Sequence, residues 1–105
     1  MRLIAPRLSG IVDVMPTYFV ERYLPGRNRD WLVAALARLR GQRGLAAHLG
    51  STYIPADDSC FCRFEADTAY DVRDANEIAG VPFARIVTAE EIGIGEAEAT
   101  EKGER

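Results

Sequence analysis

The stretch from Leu45 to Glu65, LAAHLGSTYIPADDSCFCRFE, constrains this chain more than any other. Two short segments rich in β-branched, aromatic and Cys residues flank Pro55-Ala56-Asp57-Asp58, which predicts a β-hairpin with strands at about 46–54 and 59–65. The stretch also holds the only histidine, His48, and both cysteines, Cys60 and Cys62. Any metal or thiol chemistry must therefore draw on it.

The flanking sequence supplies the remaining elements. Residues 17–24, TYFVERYL, are dense in β-formers and end at Pro25-Gly26, so they predict the first strand. Alternation puts Phe19, Glu21 and Tyr23 on one face and Tyr18, Val20, Arg22 and Leu24 on the other. After Asn28 or Asp30, either of which can cap, Trp31, Leu32, Ala35, Leu36 and Leu39 recur at helical spacing until Gly41 and Gly44. A capping-box-like start at Thr68 opens a second helix carrying Ala69, Val72, Ala75, Ile78 and Ala79. Gly80 suits its left-handed end, and Pro82 follows. Phe83 to Ala89 supplies a last strand.

The order β-α-β-β-α-β is that of the ferredoxin-like split βαβ unit, an α+β fold whose four-stranded antiparallel sheet carries both helices on one face. Two helices cannot cover both faces. The second face meets solvent, a ligand or another subunit, and pairing of two sheets into a dimeric α/β barrel is the expected solution. The domain is expected over residues 15–95, about 80 residues, a size at which self-association commonly adds burial.

Composition narrows the function classes. A formal charge of −3 over 105 residues lacks the basic excess of a nucleic-acid binder. No apolar run approaches the roughly 18 residues of a membrane span, and the N-terminus lacks the pattern of a signal peptide. These features together point to a cytoplasmic protein. Because Met15 stands immediately before the first strand, residues 1–14 are expected to be a flexible arm, consistent with an upstream start codon. Residues 96–105 are expected to form a mobile acidic tail, with four Glu against Lys102 and Arg105.

Four blocks together resemble a widespread bacterial family of small proteins known as a domain of unknown function. They are Tyr18 to Gly26 (YFVERYLPG), Leu49 to Pro55 (LGSTYIP), Cys60 to Ala66 (CFCRFEA) and Asn76 to Ile86 (NEIAGVPFARI). One branch of that family consists of nickel-binding proteins of ferredoxin-like fold that dimerise, so the resemblance implies a homodimer of this fold. The nickel-binding branch is His-rich around its first strand, whereas Tyr18 to Leu24 contains no histidine. No nickel ligand carries over residue by residue.

Two cysteines at alternate strand positions share a face with Cα atoms about 6.5–7 Å apart. That is at or beyond disulfide range, so Cys60, Cys62 and Phe64 are expected to pack as an apolar row under the helices. A soft-metal site would use His48, Cys60 and Cys62 and needs a further donor from Asp, Glu or a second subunit. No cofactor is required, and a divalent metal such as nickel is the candidate if one binds. His48 is expected on the row with Gly50, Thr52 and Ile54, where it is structural or an acid–base group.

If the Cys row faces the helices, Phe61, Arg63 and Glu65 face away, joined by Phe19, Glu21 and Tyr23 and by Leu49, Ser51 and Tyr53. Glu21, Tyr23, Ser51, Tyr53 and Arg63 would then converge on an aromatic-walled surface suited to a small molecule. Alternatively, Glu21 and Arg63 form a cross-strand ion pair and the aromatics fill a dimer interface. The expected function is binding of a small ligand or metal ion. The alternative is a cofactor-independent isomerase or monooxygenase with Glu21 or His48 as base, Arg63 holding an anionic substrate and Tyr23 or Tyr53 as donor. Asp57-Asp58 is read as turn chemistry.

Overall fold

The computed structural model describes residues 15–95 apart from residue 43. The arm expected at 1–14 and the tail expected at 96–105 lie outside those residues. The element order is β1 (Thr17–Tyr23), α1 (Arg29–Arg40), β2 (Ala47–Ile54), β3 (Ser59–Glu65), α2 (Ala69–Ala79) and β4 (Arg85–Ala89). The strands form one sheet in the order β2-β3-β1-β4, with every neighbouring pair antiparallel. This is the ferredoxin-like α+β architecture expected from the element order.

Local chemistry sets the boundaries. The Asn28 side chain accepts the Trp31 backbone N–H at 2.8 Å, which settles the cap of α1 on Asn28. Thr68 does the same for α2 by accepting from the Asp71 N–H at 3.2 Å. That helix ends on Gly80 with φ 71°, a left-handed conformation that glycine adopts without a Cβ clash. Between β2 and β3 the chain makes a short 3-10 turn, Pro55–Asp57, and Asp58 takes φ 52°. The Asp58 carbonyl accepts the Leu24 N–H at 2.7 Å, tying the hairpin tip to the end of β1. Asp57-Asp58 thus serves the turn.

Alternation defines the layers. Tyr18, Val20 and Arg22 on β1 and Cys60, Cys62 and Phe64 on β3 are buried, while their alternates Phe19, Glu21, Phe61 and Arg63 are half-buried. The buried rows join Leu32, Ala35 and Leu39 of α1 and Val72 and Ala79 of α2 in a single cluster, so both helices cover the same face. Each fully buried Val, Leu or Phe in such a core contributes about 1.5–3 kcal/mol. Arg22 and Asn76 are the buried polar exceptions within this layer. No helix of the described residues is long and apolar enough to cross a membrane.

Candidate functional site

A β-bulge in β2 decides which side chains meet. His48 lies opposite Phe64, but the next β3 position, Arg63, is opposite Gly50, so Leu49 is an extra residue. Beyond the bulge Ser51 faces Cys62 and Tyr53 faces Cys60. Directly opposed residues share a face, so His48, Ser51 and Tyr53 all belong to the helix side of the sheet. This corrects two expectations. Ser51 and Tyr53 do not join Glu21, Tyr23 and Arg63 on the open face, and His48 does not share a row with Gly50, Thr52 and Ile54.

The expected Glu21–Arg63 pair is also replaced. On β1, Glu21 stands opposite Arg85 of β4, whereas Arg63 stands opposite Phe19 and is only diagonal to Glu21. Direct neighbours are closer than diagonal ones. Arg85 accordingly donates from Nε to Glu21 Oε1 at 2.8 Å and from Nη2 to Oε2 at 3.2 Å. These hydrogen bonds, and the Glu21 charge, raise the Arg85 pKa. Arg63 instead reaches across Gly50, where an added Cβ would lie 3.0 Å from Nη2. Tyr23 is exposed at the strand end.

What the structure does assemble is a polar cluster that runs from the buried Cys62, between sheet and helices, out to an exposed Ser51. Ser51 Oγ donates to Cys62 Sγ at 2.9 Å, and His48 Nε2 lies 2.8 Å from Ser51 Oγ. The single hydroxyl proton of Ser51 is committed to the sulfur, so His48 Nε2 is the donor to Ser51. His48 Nδ1 is buried with no hydrogen-bond partner among the described residues. The imidazole packs on Phe64 with ring centroids 5.0 Å apart. Cys60 Sγ is 3.9 Å from Cys62 Sγ.

Arg22 closes the cluster from β1. Its guanidinium donates from Nε to Cys62 Sγ at 3.4 Å, from Nη1 to the Pro82 carbonyl at 3.0 Å, and from Nη2 to Asn76 Oδ1. Asn76 is itself fixed by donating Nδ2 to the Val72 carbonyl at 2.8 Å. Only 2% of Arg22 is exposed. Among the described residues no carboxylate contacts this guanidinium. The hydrogen bond from the Cys60 thiol holds the Cys62 pKa well below its ordinary value. His48, Arg22 and Ser51 act in the same direction, and desolvation opposes them. Cys60 moves upward, through its hydrogen bond to Cys62, its burial and the neighbouring charge.

The three residues suggested for a metal divide differently. The two sulfurs are neighbours, but Ser51 is hydrogen-bonded between His48 and Cys62, and a guanidinium already supplies positive charge to that sulfur. Among the described residues no group of three or more His, Cys, Asp or Glu side chains stands as a metal site. Of three surface hollows of about 490, 400 and 200 Å³, the second is lined by Asn76, Val81 and Pro82, the partners of Arg22, and none of the three is lined by His48, Ser51, Cys60 or Cys62.

Arg22 and Asn76 were noted in the sequence, Arg22 as a charge amid aromatics and Asn76 as a helix-to-turn hydrogen-bonding residue, but neither stood in the candidate site set. The signal for Arg22 was present, since a charge interrupts the row Tyr18, Val20, Leu24. For Asn76 no local signal distinguishes a helix-end hydrogen bond from a clamp on an arginine. Compared with known proteins, the chain matches no family model, no curated protein and no solved structure. Fold and site together define a ferredoxin-like α+β protein with a buried Cys–Arg pair on the helix side of its sheet.

Proposed function

We propose that this chain is a self-associating ferredoxin-like protein that binds a small thiophilic ligand at the Cys62 thiolate. The observation that carries this is Arg22, buried with no carboxylate beside it among the described residues. An uncompensated buried charge costs several kcal/mol, so the guanidinium requires an anion within its shell. The Asn76 amide and the backbone carbonyls do not ionise, which leaves Cys62 Sγ. A thiolate kept ionised near neutral pH is a nucleophile and a soft ligand, and Ser51 with His48 behind it stabilises that charge. A reducing compartment, the cytoplasm, keeps both cysteines available as thiols.

Self-association is supported by the open face of the sheet. Phe19, Phe61 and Val87 are half-buried there, on the side opposite the helices. A second copy covering this face forms the dimeric α/β barrel, in keeping with the resemblance to a family with dimeric, nickel-binding members. The isomerase or monooxygenase alternative is less well supported. Both Glu21 oxygens are engaged by Arg85, and His48 and Tyr53 lie across the sheet from Arg63.

Native mass spectrometry and elemental analysis of untagged protein, followed by thiolate ultraviolet absorbance at neutral pH, test this function. We expect a dimer without stoichiometric metal whose absorbance corresponds to one ionised thiol per chain and is lost in Cys62→Ser. Absence of thiolate absorbance at neutral pH would contradict it. Stoichiometric nickel or zinc would move the ligand set back to His48, Cys60 and Cys62.

A further inference from the structure

The surroundings of Cys62 restrict what can react with it. The sulfur is wholly buried, and none of the three surface hollows reaches it. A reactant must therefore be close to water in size and must carry no charge that has to be stripped of solvent. It must also tolerate a sulfur flanked by two hydrogen-bond donors, Ser51 Oγ and Arg22 Nε, with the Cys60 sulfur 3.9 Å away. Such donors disfavour a cation and favour a reaction in which negative charge moves from sulfur onto oxygen.

Building on the thiolate function above, we propose that Cys62 is oxidised by hydrogen peroxide to a sulfenate that stays beside Arg22. The sulfur attacks one peroxide oxygen, an S–O bond forms, and the O–O bond breaks. Sulfur loses two electrons and the peroxide gains them. The departing hydroxide receives a proton through Ser51, whose hydroxyl is backed by His48 Nε2 at 2.8 Å, and the relay recovers one from the new S–OH group. The net change is Cys62–S⁻ plus hydrogen peroxide giving Cys62–SO⁻ plus water. Arg22 faces an anion before and after, so its buried charge is never left alone.

Cys60 does not resolve this product into a disulfide. The two residues alternate on one strand, with Cα atoms about 6.5–7 Å apart, and their sulfurs are 3.9 Å apart, far beyond an S–S bond. Closing that gap would break the β3 pairing on both sides. Burial and the hydrogen bond to Cys62 also hold Cys60 as the thiol, the unreactive form.

The test uses the full chain. Protein is exposed to hydrogen peroxide, the peroxide is removed with catalase, and the protein is then unfolded in denaturant containing dimedone, so that access to the buried sulfur does not limit trapping. Peptide mapping should place a single dimedone adduct on Cys62, retained in Cys60→Ala and lost in Cys62→Ser. In Ser51→Ala, checked for folding by circular dichroism, adduct formation should slow about tenfold, the equivalent of one hydrogen bond to a charged group. Wild-type protein that shows thiolate ultraviolet absorbance at neutral pH but forms no adduct overturns the peroxide step while leaving the thiolate in place. Absence of both the absorbance and the adduct overturns both. Loss of two hydrogens with a Cys60–Cys62 linkage overturns the retained sulfenate.

Discussion

Arg22 Nε donates to Cys62 Sγ at 3.4 Å across the β1–β3 ladder, and both side chains are almost entirely removed from solvent. A buried cation and the group that can become its anion thus sit on the two central strands of the sheet. The remaining partners, Asn76, Ser51 and His48, come from α2 and β2, so the pair draws on three separate parts of the fold.

Breaking a buried pair on one side is costly because it leaves the other charge uncompensated. Cys62→Ala should therefore destabilise the domain by about 3 kcal/mol or more, as should Arg22→Met. The double variant should lose less than the sum of the two, with a coupling of at least about 1 kcal/mol in a denaturant-unfolding cycle. Strict additivity would show that the two side chains do not interact.

The same pair imposes a pH dependence on stability. Cys62 has a folded-state pKa depressed below the ordinary 9.0, so its contribution is fully present above pH 9.0. That contribution declines as pH falls toward the depressed value, because the unfolded chain binds a proton that the native one does not. Cys60 is shifted upward, so its contribution is present below pH 9.0 and is lost above it. Relative to Cys62→Ser, wild-type stability should rise from mildly acidic pH to about pH 9 and then stop rising. A difference that stays flat across this range would contradict the shifts.

Two glycines should respond differently to alanine. At Gly50 the new Cβ meets only the far end of the Arg63 side chain, which can swing away, so Gly50→Ala should cost less than about 1 kcal/mol. At Gly80 the backbone has φ 71°, and Gly80→Ala should cost about 1–2 kcal/mol although nothing lies within 4 Å of the added atom. Thermal melts of the two variants should fall in that order.

Arg85 and Glu21 form a bidentate pair, but the Arg85 side chain is 66% exposed. Arg85→Ala should leave the stability of the monomer nearly unchanged. Light scattering at micromolar concentration should give a dimer mass for the wild type, and a monomer mass would contradict pairing through the open face.

Much of the fold was legible because local and global signals agree. The Asn28 and Thr68 caps, Gly80 and the Pro55 turn each fix a boundary through nearest-neighbour chemistry, and the period-2 rows of β1 and β3 fix the layers. The site was less legible for a specific reason. Strict alternation carried through β2 assigns Ser51 and Tyr53 to the open face, and one extra residue at Leu49 reverses that. The sequence LGST has no mark that distinguishes a bulge from a regular strand, since Gly50 suits either. Likewise the Cys60–Cys62 row has the composition of an apolar core, and only the placement of Arg22 opposite Cys60 and beside Cys62 shows that the core is polar at that point.

The most direct measurement of the central claim is the ultraviolet thiolate absorbance of the folded protein at neutral pH, wild type minus Cys62→Ser. It reads the charge on the sulfur without requiring any reagent to reach it. A thiolate paired with Arg22 predicts a signal equal to one ionised thiol per chain, lost only as pH is taken well below the ordinary thiol range. A difference spectrum that is empty at neutral pH and appears only near pH 9.0 would show that Cys62 is an ordinary buried thiol and that Arg22 has no anion beside it.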